Sequence, residues 1–538
     1  MTRNGVSGRV RSAIPAWMQR RWGSIAAAAA VLAALLGFIS DIQGLIFGSS
    51  MSQAEAEMLA DRVAVRMDSS ARADQGDTVA LALDSLARDG GRREHQALRQ
   101  LDNGEDEAAL DALQGSTARL ERRSPEEAAS RYVQLGIIAE GIDTRRAIEF
   151  YESALALDPG RLQAANRLGA ALRRTGAPDR ARQLHQDALT LAREQGRTAE
   201  EIDALAGLAS LDVNAGDFAA ADARYTEALE LADSMGDLRA SANMVGNRGY
   251  VAQGRGDSEA ARSYYTRALA LFESADDRVG AALARSNLAN FQRENGELDA
   301  AADNYRLALA ALEQADRRAL GGLVLQNLGA TAEARGDPDA ADRFYRRALE
   351  RAREFEYAAY IASSARRSGW IALGRDDPAE AITMGEEALA ADIRLGDLAG
   401  EADTRVLLTG ANGLAGDHAA ARTHAARAFE IFNSVEPPLD TVGYLHSALG
   451  LMAYRDGNSD ASRTHSEQAS EAYASAGMLA ETGEQERRLA TLAGNRGDRE
   501  ATCQHLAQAL EIYRALGDTA MRETVADRLA DEGCTQRG

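Results

Sequence analysis

An all-α repeat architecture entered through one membrane-spanning helix is the fold class this sequence predicts, on three observations. Turn glycines recur every 40 residues between Gly176 and Gly497. Small, aromatic and Ala-Leu positions keep fixed distances from each turn. Near the start of the chain, an uncharged apolar run follows a cluster of arginines. The remaining composition narrows the chemistry. Of 538 residues, 45% are hydrophobic and only eight are proline, which suits a folded chain of several domains' length. No lysine occurs, so every basic side chain is arginine or histidine. A P-loop, a Schiff-base enzyme and a Ser-x-x-Lys hydrolase each need a lysine, and all three are excluded. A net charge of −21 argues against nucleic acid as a partner, because phosphate binding needs clustered positive charge.

Residues 1–22 form a basic segment with Arg3, Arg9, Arg11, Arg20 and Arg21. Residues 23–47 read as a signal-anchor helix. The uncharged stretch from Gly23 to Ile39 spans roughly 26 Å as a helix, near the lower limit for crossing a bilayer, and Leu45 to Phe47 extend it. Trp22 is the expected interfacial anchor, and the positive-inside rule leaves the basic segment in the cytoplasm. The competing reading is a cleaved signal peptide, with Gly48-Ser49-Ser50 as the small-residue site. Residues 48–94 read as a helical linker, and 95–128 as a degenerate hairpin that turns at Gly104.

From 129 to 517 the chain reads as ten helical hairpins. Nine turn positions carry Gly176, Gly216, Gly256, Gly296, Gly336, Asp376, Gly416, Gly457 and Gly497. Seven residues before each comes a small residue, as in Gly169, Gly249, Gly329 and Gly369. Five after each comes Ala181 or its equivalents, decaying to Ser462 and Thr502, and an aromatic follows at Tyr225, Tyr265, Tyr305 and Tyr345. Small residues let two helices approach closely, while leucine and tyrosine fill the space between them. Such a hairpin cannot bury its face alone, so neighbours must stack. A further unit precedes these, with Leu135-Gly136, Ala147 and Tyr151. Residues 518–538 supply a polar capping helix and tail. The one step of 41 residues coincides with Pro437-Pro438, which predicts a kink or loosened packing there, either as repeat drift or as a hinge.

This pattern, Leu-Gly, then the turn glycine, then A-x3-Y-x2-A-L, resembles the tetratricopeptide repeat family. The 40-residue step exceeds that family's usual 34 and looks like the longer variety of kinesin light chains. The resemblance implies a right-handed superhelical solenoid whose first helices line a concave, peptide-binding groove. In that register the lining presents Arg167, Arg173, Arg174, Arg293, Arg366, Arg367, Arg455, Arg487 and Arg488. Against these stand Asp203, Asp403, Glu294, Glu333 and Glu484. A net basic groove in an acidic chain favours an extended acidic or carboxylate-terminated peptide, which arginine forks pair bidentately. Asn247, Asn287 and Asn327 fall at one position of three successive repeats, flanked by Asn243 and Asn290. Such amides either hold a peptide backbone or cross-link the scaffold's own helices.

Other signals count for less. His424, His465 and His505 share one repeat position, but stacked helices lie roughly 10 Å apart, too far for shared ~2 Å coordination bonds. Arg-Gly-Asp recurs at 255–257, 335–337 and 496–498, where glycine serves the turn and aspartate the next helix's N-cap. Cys503 and Cys534 fall on adjacent antiparallel helices, either as a disulfide suited to an oxidising compartment or as two reduced thiols. No metal, cofactor or catalytic constellation is expected. The sequence therefore predicts a bacterial inner-membrane scaffold with a periplasmic solenoid that binds a partner protein. A cytoplasm-facing adaptor or sensor is the alternative, and a hydrolase with an unrecognised site the remote one.

Overall fold

The computed structural model describes residues 72–89 and 91–534, and among them every regular element is a helix. The basic segment and the apolar run 23–47 lie outside the described residues. No helix among the described residues is long and apolar enough to cross a membrane. The chain divides into two compact units, one ending at Asp237 and the other beginning at Leu238.

The first unit contains α1 (Arg72–Asp89), α2 (Arg92–Asp102), α3 (Asp106–Thr117), α4 (Pro125–Ala139) and α5 (Thr144–Leu157). It continues with α6 (Leu162–Arg174), α7 (Pro178–Gln195), α8 (Thr198–Asn214) and α9 (Phe218–Met235). Helices α2 and α3 fold back on one another across Gly104, whose φ of 78° is left-handed. Leu98, Leu101, Leu110, Leu135, Phe150 and Tyr151 form a continuous buried core through these hairpins. Beneath it Tyr151 donates to Glu140, a carboxylate that Arg167 approaches at 3.4 Å and Arg174 at 3.6 Å.

The second unit contains α10 (Leu238–Gly254), α11 (Ser258–Ser274), α12 (Arg278–Glu294), α13 (Leu298–Gln314) and α14 (Arg318–Ala334). Next come α15 (Pro338–Glu354), α16 (Ala358–Gly374), α17 (Pro378–Leu395), α18 (Leu398–Ala415) and α19 (His418–Phe432). It ends with α20 (Leu439–Arg455), α21 (Ser459–Ser475), α22 (Leu479–Asn495), α23 (Arg499–Leu516) and α24 (Thr519–Asp531). Each hairpin packs its even-numbered first helix against the odd-numbered second, and each second helix packs against the next first helix, except α19 against α20. Both units are thus stacks of helical hairpins.

Turn and cap chemistry sets the period. The turn glycines have φ between 74° and 86° in the second unit, and Asp376, which replaces one of them, takes 59°. The following aspartate accepts a backbone hydrogen bond at the start of the second helix, as Asp257 does from Ala260 at 3.0 Å and Asp337 from Ala340 at 2.9 Å. The Arg-Gly-Asp triplets are therefore a turn followed by an N-cap. The small residues meet the aromatic of their own hairpin. A Cβ added to Gly329 would sit 2.6 Å from Tyr345, and one on Gly136 would sit 2.3 Å from Tyr151.

At Pro437-Pro438 the expected loosening falls between α19 and α20, which meet through side chains such as Phe429 and His446 but do not pack closely along their backbones as the other successive helices of the second unit do. Helix α19 stops at Phe432, Pro438 takes the N-cap of α20, and α18 packs directly on α20. A Cβ on Gly413 would fall 2.9 Å from Met452 Sδ, and Arg455 donates to the Gly413 carbonyl at 3.2 Å. The extra residue is absorbed by the segment between α19 and α20, so the first helices keep their contact. At the far end Cys503 and Cys534 form a disulfide with Cα atoms 5.6 Å apart, and α24 buries Val525 and Leu529 against Leu506, Leu510 and Tyr513.

Candidate functional site

Arg167, Arg173, Arg174 and Asp203 lie in the first unit; the first helices of the second unit carry the other predicted groove residues, and the structure sorts these into two groups. Asn247 on α10 and Asn327 on α14 are half-buried, while Asn287 on α12 is exposed. No hydrogen bond engages any of these three side chains among the described residues. The next rung of the same register is Arg367 on α16, with a side chain 61% exposed and a single loose ion pair, 3.9 Å from Glu333. A row of free amides ending in a loosely held, exposed guanidinium thus runs along α10, α12, α14 and α16.

The other predicted groove residues serve the scaffold. Asn290 accepts the Tyr305 hydroxyl proton, so its carbonyl is occupied, and Asn243 likewise has an interaction within the fold. Arg366 is the clearest correction. Its Nη1 lies 3.1 Å from Asp392 and donates to the Gly400 carbonyl at 3.1 Å and Thr404 Oγ1 at 3.2 Å, while its Nε lies 3.2 Å from Asp403. That guanidinium balances two acids, Asp392 being fully buried, and is not available to a ligand. Burial raises the pKa of both carboxyl groups, and Arg366 opposes the rise in each. Other lining arginines bridge successive repeats. Arg455 reaches the Gly413 carbonyl and Arg488 the Ser447 carbonyl at 3.0 Å, whereas Arg487 pairs with Glu484 of its own helix at 2.7 Å. Of the two adjacent arginines on α16, Arg367 is therefore the one open to a ligand, while Arg455 on α20 is exposed and pairs with no acid among the described residues.

Beyond Arg367 the lining turns apolar and opens into a pocket of about 160 Å³. Trp370 and Leu373 of α16 form one wall, Tyr444 and Leu451 of α20 the other, and Gly410 and Gly413 of α18 the floor. The rings of Trp370 and Tyr444 lie 5.2 Å apart, and Tyr444 is raised in pKa by burial and then by Glu481 and Asp440. Sequence reading missed this pocket. Its signal is the pair of glycines, Gly410 and Gly413, at the positions that Trp370 and Leu373 hold one repeat earlier.

A second cavity of about 500 Å³ opens among α21, α22 and α23, lined in part by Glu467, Glu471, Glu486, His505 and Glu511. Ser470 donates to one Glu486 oxygen at 2.6 Å and His505 meets the other at 2.7 Å. Here the serine faces a carboxylate and not the imidazole, so the set does not form a nucleophile–base pair. The three histidines of the shared register have separate partners: His424 lies beside Arg405, His465 is 3.0 Å from His446, and His505 is on Glu486.

Comparison with known proteins gives the repeat type. Residues 239–314 and 322–394 match one tetratricopeptide repeat model, and residues 161–194 match another. No curated protein matches the chain. Among solved structures, BtubC (BKLC) from P. vanneervenii is 24% identical, with a TM-score of 0.37 over 40% of this chain and 90% of its own. A signal transduction ATPase with numerous domains and a tetratricopeptide repeat sensor, from Pyrococcus horikoshii, is 14% identical, with a TM-score of 0.48 over 66% of this chain and 53% of its own. Aspartyl phosphate phosphatase F from Bacillus subtilis is 13% identical, with a TM-score of 0.42 over 68% and 93%.

Proposed function

We propose that this chain of tetratricopeptide repeats is a non-catalytic scaffold that holds an extended peptide segment of a partner protein along the first helices of its second unit. The observation that carries this reading is the row of Asn247, Asn287 and Asn327, three amides at one repeat register with no partner among the described residues. Helix interiors disfavour asparagine unless its amide is used, and an amide that both donates and accepts matches a peptide backbone of any sequence. Their neighbours Asn243 and Asn290 are engaged within the fold, so the three free ones are not simply the scaffold's habit. Arg367 at the end of the row supplies a charge for an acidic residue or a terminal carboxylate on the peptide.

Panning a random display library of short peptides on the full-length protein tests this. Replacing Asn247, Asn287 and Asn327 together by alanine is expected to lower recovery at least tenfold with helicity unchanged. Undiminished recovery would make the row structural. Arg367→Gln is expected to weaken capture chiefly at low ionic strength, where an exposed charge is least screened.

The setting belongs to the same proposal. It rests on the sequence of residues 23–47 with the arginines before them, which support an inner-membrane anchor and a periplasmic solenoid. An epitope placed after Gly538 should be removed by external protease in spheroplasts while a cytoplasmic control survives. Protection until lysis would place the solenoid in the cytoplasm and favour the adaptor reading.

A further inference from the structure

We infer that the pocket between α16, α18 and α20 is a side-chain subsite, which takes one phenyl-sized apolar side chain of the bound peptide with a carboxylate next to it. The inference rests on the peptide-binding reading and adds to it what the peptide must carry.

Its geometry comes from two glycines. Gly410 and Gly413 lie one helical turn apart on α18, in the register that Trp370 and Leu373 occupy on α16. Side chains there would fill the space, since a Cβ on Gly410 already approaches Leu373 Cδ2 to 3.3 Å. With hydrogen in their place, the helix backbone becomes a floor and the flanking helices supply walls. The walls are held in place from behind. Trp370 lies beside Asp403, which Arg366 fixes at 3.2 Å, and Tyr444 packs on Tyr473 with ring centroids 5.5 Å apart. A preformed, apolar space of 160 Å³ is close to the ~150 Å³ at which an apolar protein cavity accepts benzene.

The charges around the pocket choose the neighbouring residue. Arg367 lies one turn before Trp370 on the same helix face and is mostly exposed. Arg455 and Arg488 reach the edge of the lining through the carbonyls of Gly413 and Ser447. On the opposite side Asp440 and Glu481 act on Tyr444, and Asp403 is held by Arg366. Arg455 is exposed too and keeps its charge at the far edge, but Arg367, held only loosely by Glu333, is the guanidinium at the point where the asparagine row meets the pocket. A peptide lying along that row would place its carboxylate at Arg367 and its apolar side chain just beyond.

The display experiment separates this inference from the one it rests on. On the full-length protein, recovered peptides should share a large apolar residue, aromatic above all, with Asp, Glu or the C-terminal carboxylate beside it. Gly410→Leu should remove the apolar preference, and a recovered peptide should bind it about tenfold more weakly than the unaltered protein. Changing the peptide's apolar residue to alanine should cost the same on the unaltered protein and nothing further on Gly410→Leu. Arg367→Gln should relax only the acidic preference. If Gly410→Leu fails to fold, Gly410→Ala carries the test, because alanine favours a helix interior and only narrows the pocket. Recovery that depends on the asparagines, with no shared apolar residue or with Gly410→Leu indifferent, overturns the subsite and leaves the groove standing. No recovery by the unaltered protein overturns both.

Discussion

His185 sits where Tyr151, Tyr225, Tyr265, Tyr305 and Tyr345 sit in other hairpins. The tyrosines send their hydroxyls to polar groups of the preceding helix, as Tyr265 does to Gln253 at 2.9 Å. The imidazole instead packs between Gly169 and Gly207, meets Asn166 at 3.2 Å through Nδ1, and leaves Nε2 without a partner. Burial first, and then Arg173, push its pKa down to about 4. The folded form therefore holds a neutral ring that the unfolded chain would protonate near pH 6.5. Stability from this site is complete above that pH and is lost as pH falls toward 4, by about 2 kcal/mol at pH 5. Urea unfolding of the first unit followed at pH 7 and pH 5 should show that loss, and His185→Gln should flatten it. An equal pH dependence in the variant would remove His185 as the cause. The residue could have been found from sequence, since it lies 40 positions before Tyr225, but a search for recurring tyrosines passes over it. The groove residues were legible only as positions. Which arginines are tied depends in part on acids in other repeats, such as Asp403 for Arg366, which no single repeat reveals.

At the level of the helix, the small-residue position divides glycines that must be glycine from those that need not be. Helix α14 has Gly329 against Tyr345, where a Cβ would be 2.6 Å from the ring, whereas Gly246 of α10 would place one 3.7 Å from Ala268. Gly329→Ala should destabilise by about 1–3 kcal/mol through overpacking. Gly246→Ala should stabilise by about 0.5–1 kcal/mol, because alanine is the better helix residue. Thermal unfolding of the two variants, with opposite signs expected, checks the assignment of the packing face. Element boundaries were readable to this degree because glycine turns and aspartate caps repeat at each hairpin. The behaviour at Pro437-Pro438 was not, because the sequence shows an inserted residue but not where the chain absorbs it. The answer depended on Gly413 meeting Met452 across repeats.

For the molecule as a whole, stability in a hairpin stack is a sum of neighbour terms, so a local tie acts locally. The Cys503–Cys534 disulfide spans 31 residues and encloses most of α23, the turn after it and α24. Closing a loop of that length contributes about 3–4 kcal/mol in the chain-entropy description. Reduction should raise amide exchange in α23 and α24 while leaving the hairpins before α20 unchanged. A loss of protection spread through the second unit would contradict the neighbour-only picture. Between the ends, repeats are tied by guanidinium groups throughout, from Arg193 with Glu227 to Arg353 with Glu387 at 2.5 Å and Arg496 with Asp460 at 2.5 Å. Exposed pairs of this kind each add little. Their chemical identity has a separate result. A guanidinium keeps its charge throughout the biological pH range and has no amine to acylate. Side-chain acetylation and amine-directed cross-linking reagents, which loosen or label most protein surfaces through lysine, find no side chain here to react with. The ties between repeats are closed to that entire class of modification.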